Sequence, residues 1–265
     1  MPLHIAVDRQ TPCIQVVRLL LDQYPEAAST RRGVGRLPIH YAVFYNSPSL
    51  DVVEALLAAY PAGASMGDVY GRLPLHYAVD RPDPSMAVVR CLLKWYPDAV
   101  AVRDTYLRLP LTIAVEHEGA TLEVVKVLVE LNPSSVRERG PQGRLPLHSA
   151  MSLESPSLEI VRFLSQQYPA AVTMETKENK RDSPLILSTL RGLHRVTREL
   201  LQACPDEDPE LLCNLNWRER KMALFAALGS KGENGEKEVV RGYANIFSAL
   251  YHINMDMFVE AVSFI

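Results

Sequence analysis

The sequence predicts an all-α solenoid: stacked helix–turn–helix units joined by extended finger loops and followed by a C-terminal helical cap. Three observations predict it. Proline recurs at Pro2, Pro38, Pro74, Pro110 and Pro146, each 36 residues after the last. A second series, Pro25, Pro61, Pro97, Pro133, Pro169 and Pro205, keeps that period in another phase. Between the two series, apolar residues fall at helical spacing. A fixed period of this size marks a chain that stacks small units, none able to bury its apolar face alone.

Residues 73–108 show the order of elements within one unit. Leu73-Pro74-Leu75-His76 opens a short helix, and proline suits its first turn because no amide donor is needed there. Leu75, Ala78 and Val79 form the apolar face. The stretch from Asp80 to Pro84, with two prolines, breaks the helix. Ser85 takes the N-cap place of a second helix, and Ser49, Thr121 and Ser157 fill the same slot in other units. Cys13 fills it in the first unit as a small-residue replacement. The second helix runs from Met86 to Tyr96, with Val88, Val89, Leu92 and Leu93 apolar, and Tyr96-Pro97 stops it. A polar connector then leads to Leu109-Pro110.

Composition bounds the function. The chain has 265 residues, is 48% hydrophobic and carries a net charge of -3, so nothing draws it strongly to nucleic acid or to an anionic membrane. Four cysteines without CxxC spacing fit a reducing compartment, cytoplasmic or nuclear rather than secreted. No apolar run approaches the roughly 20 residues that span a bilayer. Gly229-Ser230-Lys231-Gly232 lacks the spacing of a phosphate loop, and no nucleophile or metalloprotease motif is present. The chain is therefore expected not to be an enzyme and to hold no cofactor and no metal. His4, His40, His76 and His148 recur in phase. Packed helices lie about 8–10 Å apart, too far for such histidines to share a zinc whose ligands sit at about 2 Å.

Leu-Pro-Leu-His-Tyr-Ala at 73–78, followed by Val88-Val89, Leu92-Leu93 and Asp104, resembles an ankyrin repeat, whose consensus contains Thr-Pro-Leu-His-x-Ala. The unit here is three residues longer than the family's, with the extra residues in loops. The resemblance covers residues 1–204 in six units (1–36, 37–72, 73–108, 109–144, 145–182 and 183–204). In the sixth, Gly192-Leu193-His194-Arg195-Val196 resembles the consensus turn between helices. Departures are Leu for Thr before each proline (Leu37, Leu73, Leu109, Leu145), Thr112 for His, and Leu107 where Gly35, Gly71 and Gly143 stand. The finger that carries Leu107 is expected to bend differently. Residues 205–265 read as the helical cap, with helices over 216–228 and 236–253; a docking helix for a partner is the rival reading.

The resemblance implies protein–protein recognition through a concave helix face and the finger loops, as a scaffold or adaptor. Its family contact positions fall on Val34, Val69, Tyr70, Thr105, Tyr106, Pro141 and Gln142 in the fingers. At the ends of the first helices they fall on Phe44, Tyr45, Asp80, Arg81, Glu116, His117, Ser152 and Leu153. The arginines before each Leu-Pro, Arg36, Arg72, Arg108 and Arg144, admit two readings: a cationic edge for a partner, or bridges between fingers through Asp68 and Asp104. The tyrosine of each Tyr-Pro (Tyr24, Tyr60, Tyr96, Tyr168) is expected in the core or as a staple. Met1 falls inside a repeat motif, so the array is expected to be a piece of a longer one. The alternative is a targeting fragment of a larger enzyme or membrane protein truncated at Met1.

Overall fold

The computed structural model describes residues 2–9, 11–44, 48–176 and 182–203. The expected cap at 205–265, Pro205 and Tyr45 lie outside the described residues. The chain divides into two compact units, Met1–Ile160 and Val161–Ile265.

In the first unit the proline series sets the helix starts. Helices α1 (Pro2–Val7), α3 (Pro38–Phe44), α5 (Pro74–Val79), α7 (Pro110–Val115) and α9 (Pro146–Met151) each open on a proline of the first series. Their partners are α2 (Ile14–Gln23), α4 (Leu50–Ala59), α6 (Met86–Trp95) and α8 (Leu122–Leu131). Helix α10 (Leu158–Gln167) spans the division between the two units. The first helices stack in one row, α1 on α3, α3 on α5, α5 on α7 and α7 on α9. The second helices stack in another, α2 on α4, α4 on α6 and α6 on α8. The core lies between the rows. Leu37, Leu73, Leu109 and Leu145, the residues in place of threonine, are all buried in it with Val52, Val53, Val88, Val89, Val124 and Val125.

The second proline series does more than stop helices. Pro25–Ser29, Pro61–Ser65, Pro97–Ala101, Pro133–Arg137 and Pro169–Val172 are 3-10 turns, each with its proline in the first turn. The expected polar connector is thus partly core: Ala28, Ala64, Ala99, Val100, Val136, Ala171 and Val172 are buried. The tyrosines before these prolines are not core. Tyr24 is exposed, and Tyr60, Tyr96 and Tyr168 are half-buried.

Ser49, Ser85 and Thr121 sit at N-caps as expected, but their side chains accept no capping hydrogen bond. Cys13 occupies the same place, and its thiol donates to Gln15 Oε1 at 3.0 Å. In the second unit α11 (Pro184–Leu190) packs on α12 (His194–Ala203) across a short turn in which Gly192 takes a φ of 67°. Arg162 makes a two-armed pair with Glu199 at 2.6 Å.

Candidate interaction surface

The histidines fasten the first helices. In α5, the Leu73 N–H donates to His76 Nδ1 at 3.0 Å, and His76 Nε2 lies 3.1 Å from the Val102 carbonyl. His40 does the same with the Leu37 N–H at 3.1 Å and the Arg72 carbonyl at 3.1 Å. An imidazole that accepts at Nδ1 must carry its proton on Nε2, so both rings are neutral donors to those carbonyls. Burial drives both pKa values down to about 4, against the opposing pull of Asp68 or Asp104 and of the carbonyls. Nδ1 of His148 likewise accepts from the Leu145 N–H at 3.2 Å. At an N-cap leucine without a side-chain acceptor, the ring three residues on satisfies the cap's own amide. Thr112 leaves α7 without that ring.

Four fingers follow, at 31–36, 67–72, 103–108 and 139–144. Each closes on itself through backbone: Arg32 N–H to Arg36 O at 2.9 Å, Asp68 to Arg72 at 3.1 Å, Asp104 to Arg108 at 3.0 Å and Gly140 to Arg144 at 2.8 Å. Successive fingers are also tied to one another. The Val69 N–H donates to Val34 O at 3.0 Å, and the Thr105 N–H to Tyr70 O at 2.9 Å. Pro141 stands at the next step and has no N–H to give. Leu107 holds a φ of 64°, close to the 67° of Gly71 and the 72° of Gly143. Its finger is therefore not bent differently; the leucine adopts the left-handed conformation the turn requires.

Asp68 and Asp104 are the hubs of the middle fingers. Both side chains are inaccessible to solvent. Asp68 Oδ1 accepts from the N–H groups of Tyr70 (2.9 Å) and Arg72 (3.1 Å), and Oδ2 accepts from the Tyr77 hydroxyl at 2.7 Å. Burial pushes this carboxyl up, but the Tyr77 and backbone hydrogen bonds outweigh it and leave the pKa below its usual value. Asp104 accepts from the N–H groups of Tyr106 and Arg108, both at 2.9 Å.

The arginine series pairs with these hubs. Arg36 Nε lies 3.5 Å from Asp68, its Nη2 donates to Tyr77 at 2.8 Å, and its guanidinium stands 4.8 Å over the Tyr77 ring. Arg72 pairs with Asp104 at 3.5 Å and with Asp80 at 2.9 Å. Arg108 would face Gly140 on the next finger, so it turns back and grips Asp104 with two arms, at 3.0 and 2.9 Å. Arg144 donates to Ser152 Oγ at 2.8 Å. The arginines bridge fingers and helix ends within the molecule.

The helix-end positions join the same network. His117 Nε2 lies 2.7 Å from Asp80, and Glu116 lies 3.5 Å from Arg108 and accepts from Ser149 at 3.4 Å. Burial raises the Glu116 pKa, with Arg108 opposing. Arg81 is buried and donates to Phe44 O at 3.0 Å, which removes it from the outer surface. Leu153 is half-buried; Ser152 and Gln142 are exposed, and Gln142 has a φ of 58°.

Several apolar and aromatic positions face solvent. Val69 (62% exposed), Tyr70, Tyr106 and Phe44 present their side chains outward, with Thr105 beside them, while Val34 and Pro141 are half-buried. The Tyr70 and Tyr106 rings stack at 6.4 Å. Leu107 adds 58% exposed leucine beside Tyr106.

A second arginine series was not read from the sequence. Arg31 Nη1 donates to Gly35 O and Gly67 O, both at 2.8 Å, and Arg103 Nη1 to Leu107 O (2.7 Å) and Arg139 O (3.1 Å). Each guanidinium ties its own finger to the base of the next. The signal was available: Arg31, Arg103 and Arg139 share one phase of the 36-residue period. Among the described residues no group of three or more His, Cys, Asp or Glu is placed to hold a metal, and no helix is long and apolar enough to cross a membrane.

A family profile described as ankyrin repeats, in three copies, matches residues 39–137. Among solved structures, the chain is similar to the crystal structure of an ankyrin repeat domain from Acinetobacter baumannii AYE. The TM-score is 0.62 at 22% identity, over 76% of this chain and 97% of that one. No curated protein matches the sequence.

Proposed function

We propose that this chain is a scaffold or adaptor that grips a protein partner with its finger tips and the ends of its first helices, because residues 39–137 match a profile of ankyrin repeats, a module that generally mediates protein–protein interaction. One observation carries the reading. The charged groups of the second and third fingers are paired within the molecule, whereas Val69, Tyr70 and Tyr106 are offered to solvent on a backbone-bonded row. Tyr70 and Tyr106 are stacked and held at their base by Asp68 and Asp104, so little freedom remains to be lost on binding.

The test is capture of binding proteins by the wild type beside a Phe44→Ser/Tyr70→Ser/Tyr106→Ser variant, with helical circular dichroism of both. The expected result is a partner retained by the wild type and lost by a variant that keeps its helical signal. Partners held equally by both would remove this face from the function. Reversing Arg36, Arg72, Arg108 and Arg144 to Glu is a poorer test, because it breaks the hubs that hold the fingers.

A further inference from the structure

The first finger lacks the feature that organises the second and third. Where Asp68 and Asp104 stand, the first finger has Arg32. Residues 31–36 hold Arg31, Arg32 and Arg36 and no carboxylate, whereas each of the next two fingers contains an aspartate. The tyrosine that serves the carboxylate elsewhere is nonetheless in place. Tyr77 donates its hydroxyl to Asp68, and Tyr41 is its counterpart one period earlier. A Cβ built on Gly33 would lie 3.5 Å from the Tyr41 hydroxyl oxygen, so that hydroxyl rests against the turn of the first finger. Among the described residues no acceptor bonds it, and no carboxylate pairs with the exposed Arg32. The backbone has adjusted as well: the Arg36 N–H closes on Arg32 O at 3.0 Å, where the equivalent Arg72 N–H goes to the aspartate side chain.

We propose that the first finger is a carboxylate-binding site, filled by an Asp or Glu side chain of a protein partner and held by Arg32 and the Tyr41 hydroxyl. The second finger supplies the template for the ligand. There a carboxylate accepts from a tyrosine hydroxyl and lies beside an arginine; at the first finger Tyr41 offers the hydroxyl, and Arg32, at the aspartate's own place in the sequence, offers the guanidinium. Arg31 adds a fixed positive charge, because its Nη1 is locked on Gly35 O and Gly67 O. Paired arginine–carboxylate contacts of this kind are directional as well as attractive. The proposal rests on the protein-recognition reading and names the acidic contact within it.

Two fluorescent peptides of equal length serve as probes, one of alternating Glu and Gly and one with Gln for each Glu, at low and high salt. The wild type binds the Glu peptide in preference to the Gln peptide, and salt weakens that binding. Arg32→Asp installs the internal carboxylate: it weakens Glu-peptide binding by about tenfold or more and raises the melting temperature by about 4 °C, as a newly satisfied hydrogen-bond hub would. Arg32→Gln weakens binding without that rise. Equal binding of the two peptides by the wild type overturns the proposal, as does an Arg32→Asp variant that binds the Glu peptide like the wild type. If the Glu peptide fails while a partner dependent on Tyr70 and Tyr106 still binds, this inference falls and the recognition reading stands.

Discussion

At the scale of single residues, two positions carry measurable consequences. His40 and His76 are buried, neutral and bonded at both nitrogens, with pKa values near 4 against 6.5 for an exposed ring. Between those values the unfolded chain binds more protons than the folded one, so stability is whole above about pH 6.5 and falls as pH drops toward about 4, by up to about 3 kcal/mol per histidine. Urea titrations stepped through that window should show the loss; a flat profile would mean that the rings are protonated in the fold. Leu107 holds a left-handed φ with an exposed side chain, so Leu107→Gly should stabilise the protein by about 1 kcal/mol in chemical denaturation. From the sequence the spacing of the histidines argued only against a shared metal; their two bonds needed the fold. The left-handed leucine was not legible either: the residue type argues against the conformation that the turn around it imposes.

Helix pairs and fingers are the next scale. Prolines at the first helical position and apolar faces at helical spacing are local signals, and they placed the helices of each unit. The 3-10 turns after each Tyr-Pro were missed because their buried alanines and valines find a core only once neighbouring units stack. The N-cap hydroxyls were overread: position favours a serine there, but its bond depends on a rotamer that spacing does not encode. The arginine pairing needed the neighbouring finger in three dimensions before its bridges could be traced. Two tests belong here. Gly119 lies so close to the Pro82 carbonyl that an added Cβ would stand 2.0 Å from the oxygen. Gly119→Ala should therefore cost about 2 kcal/mol or more, as overpacking against backbone does, read from the urea midpoint. In the finger row, the amides of Val69 and Thr105 should exchange slowly with deuterium although both residues are exposed, because each is bonded to the finger before it.

For the array as a whole, stability comes from interfaces between neighbours rather than from one centre. Leu92 is buried in α6, which packs on α4 on one side and on α8 on the other. Leu92→Ala should cost about 2–5 kcal/mol, and the loss should not stay local. Hydrogen exchange by mass spectrometry is expected to show faster opening in α4 and α8 as well as in α6; faster exchange confined to α6 would show that the units are energetically independent.

The forward pairing of arginine with aspartate has a consequence for how such a chain changes length. Arg36 reaches Asp68 and Arg72 reaches Asp104, so each period holds the giver of one contact and the receiver of another. A coding segment of one period, duplicated in tandem, brings both halves with it, and the new copy finds its complement on either flank. Removal of one whole period rejoins the same halves. Gain or loss of whole periods in the middle of this array therefore conserves its bonding pattern, and a change of any other length does not. Past Asp104 that inheritance stops, because Gly140 offers the next arginine nothing to hold.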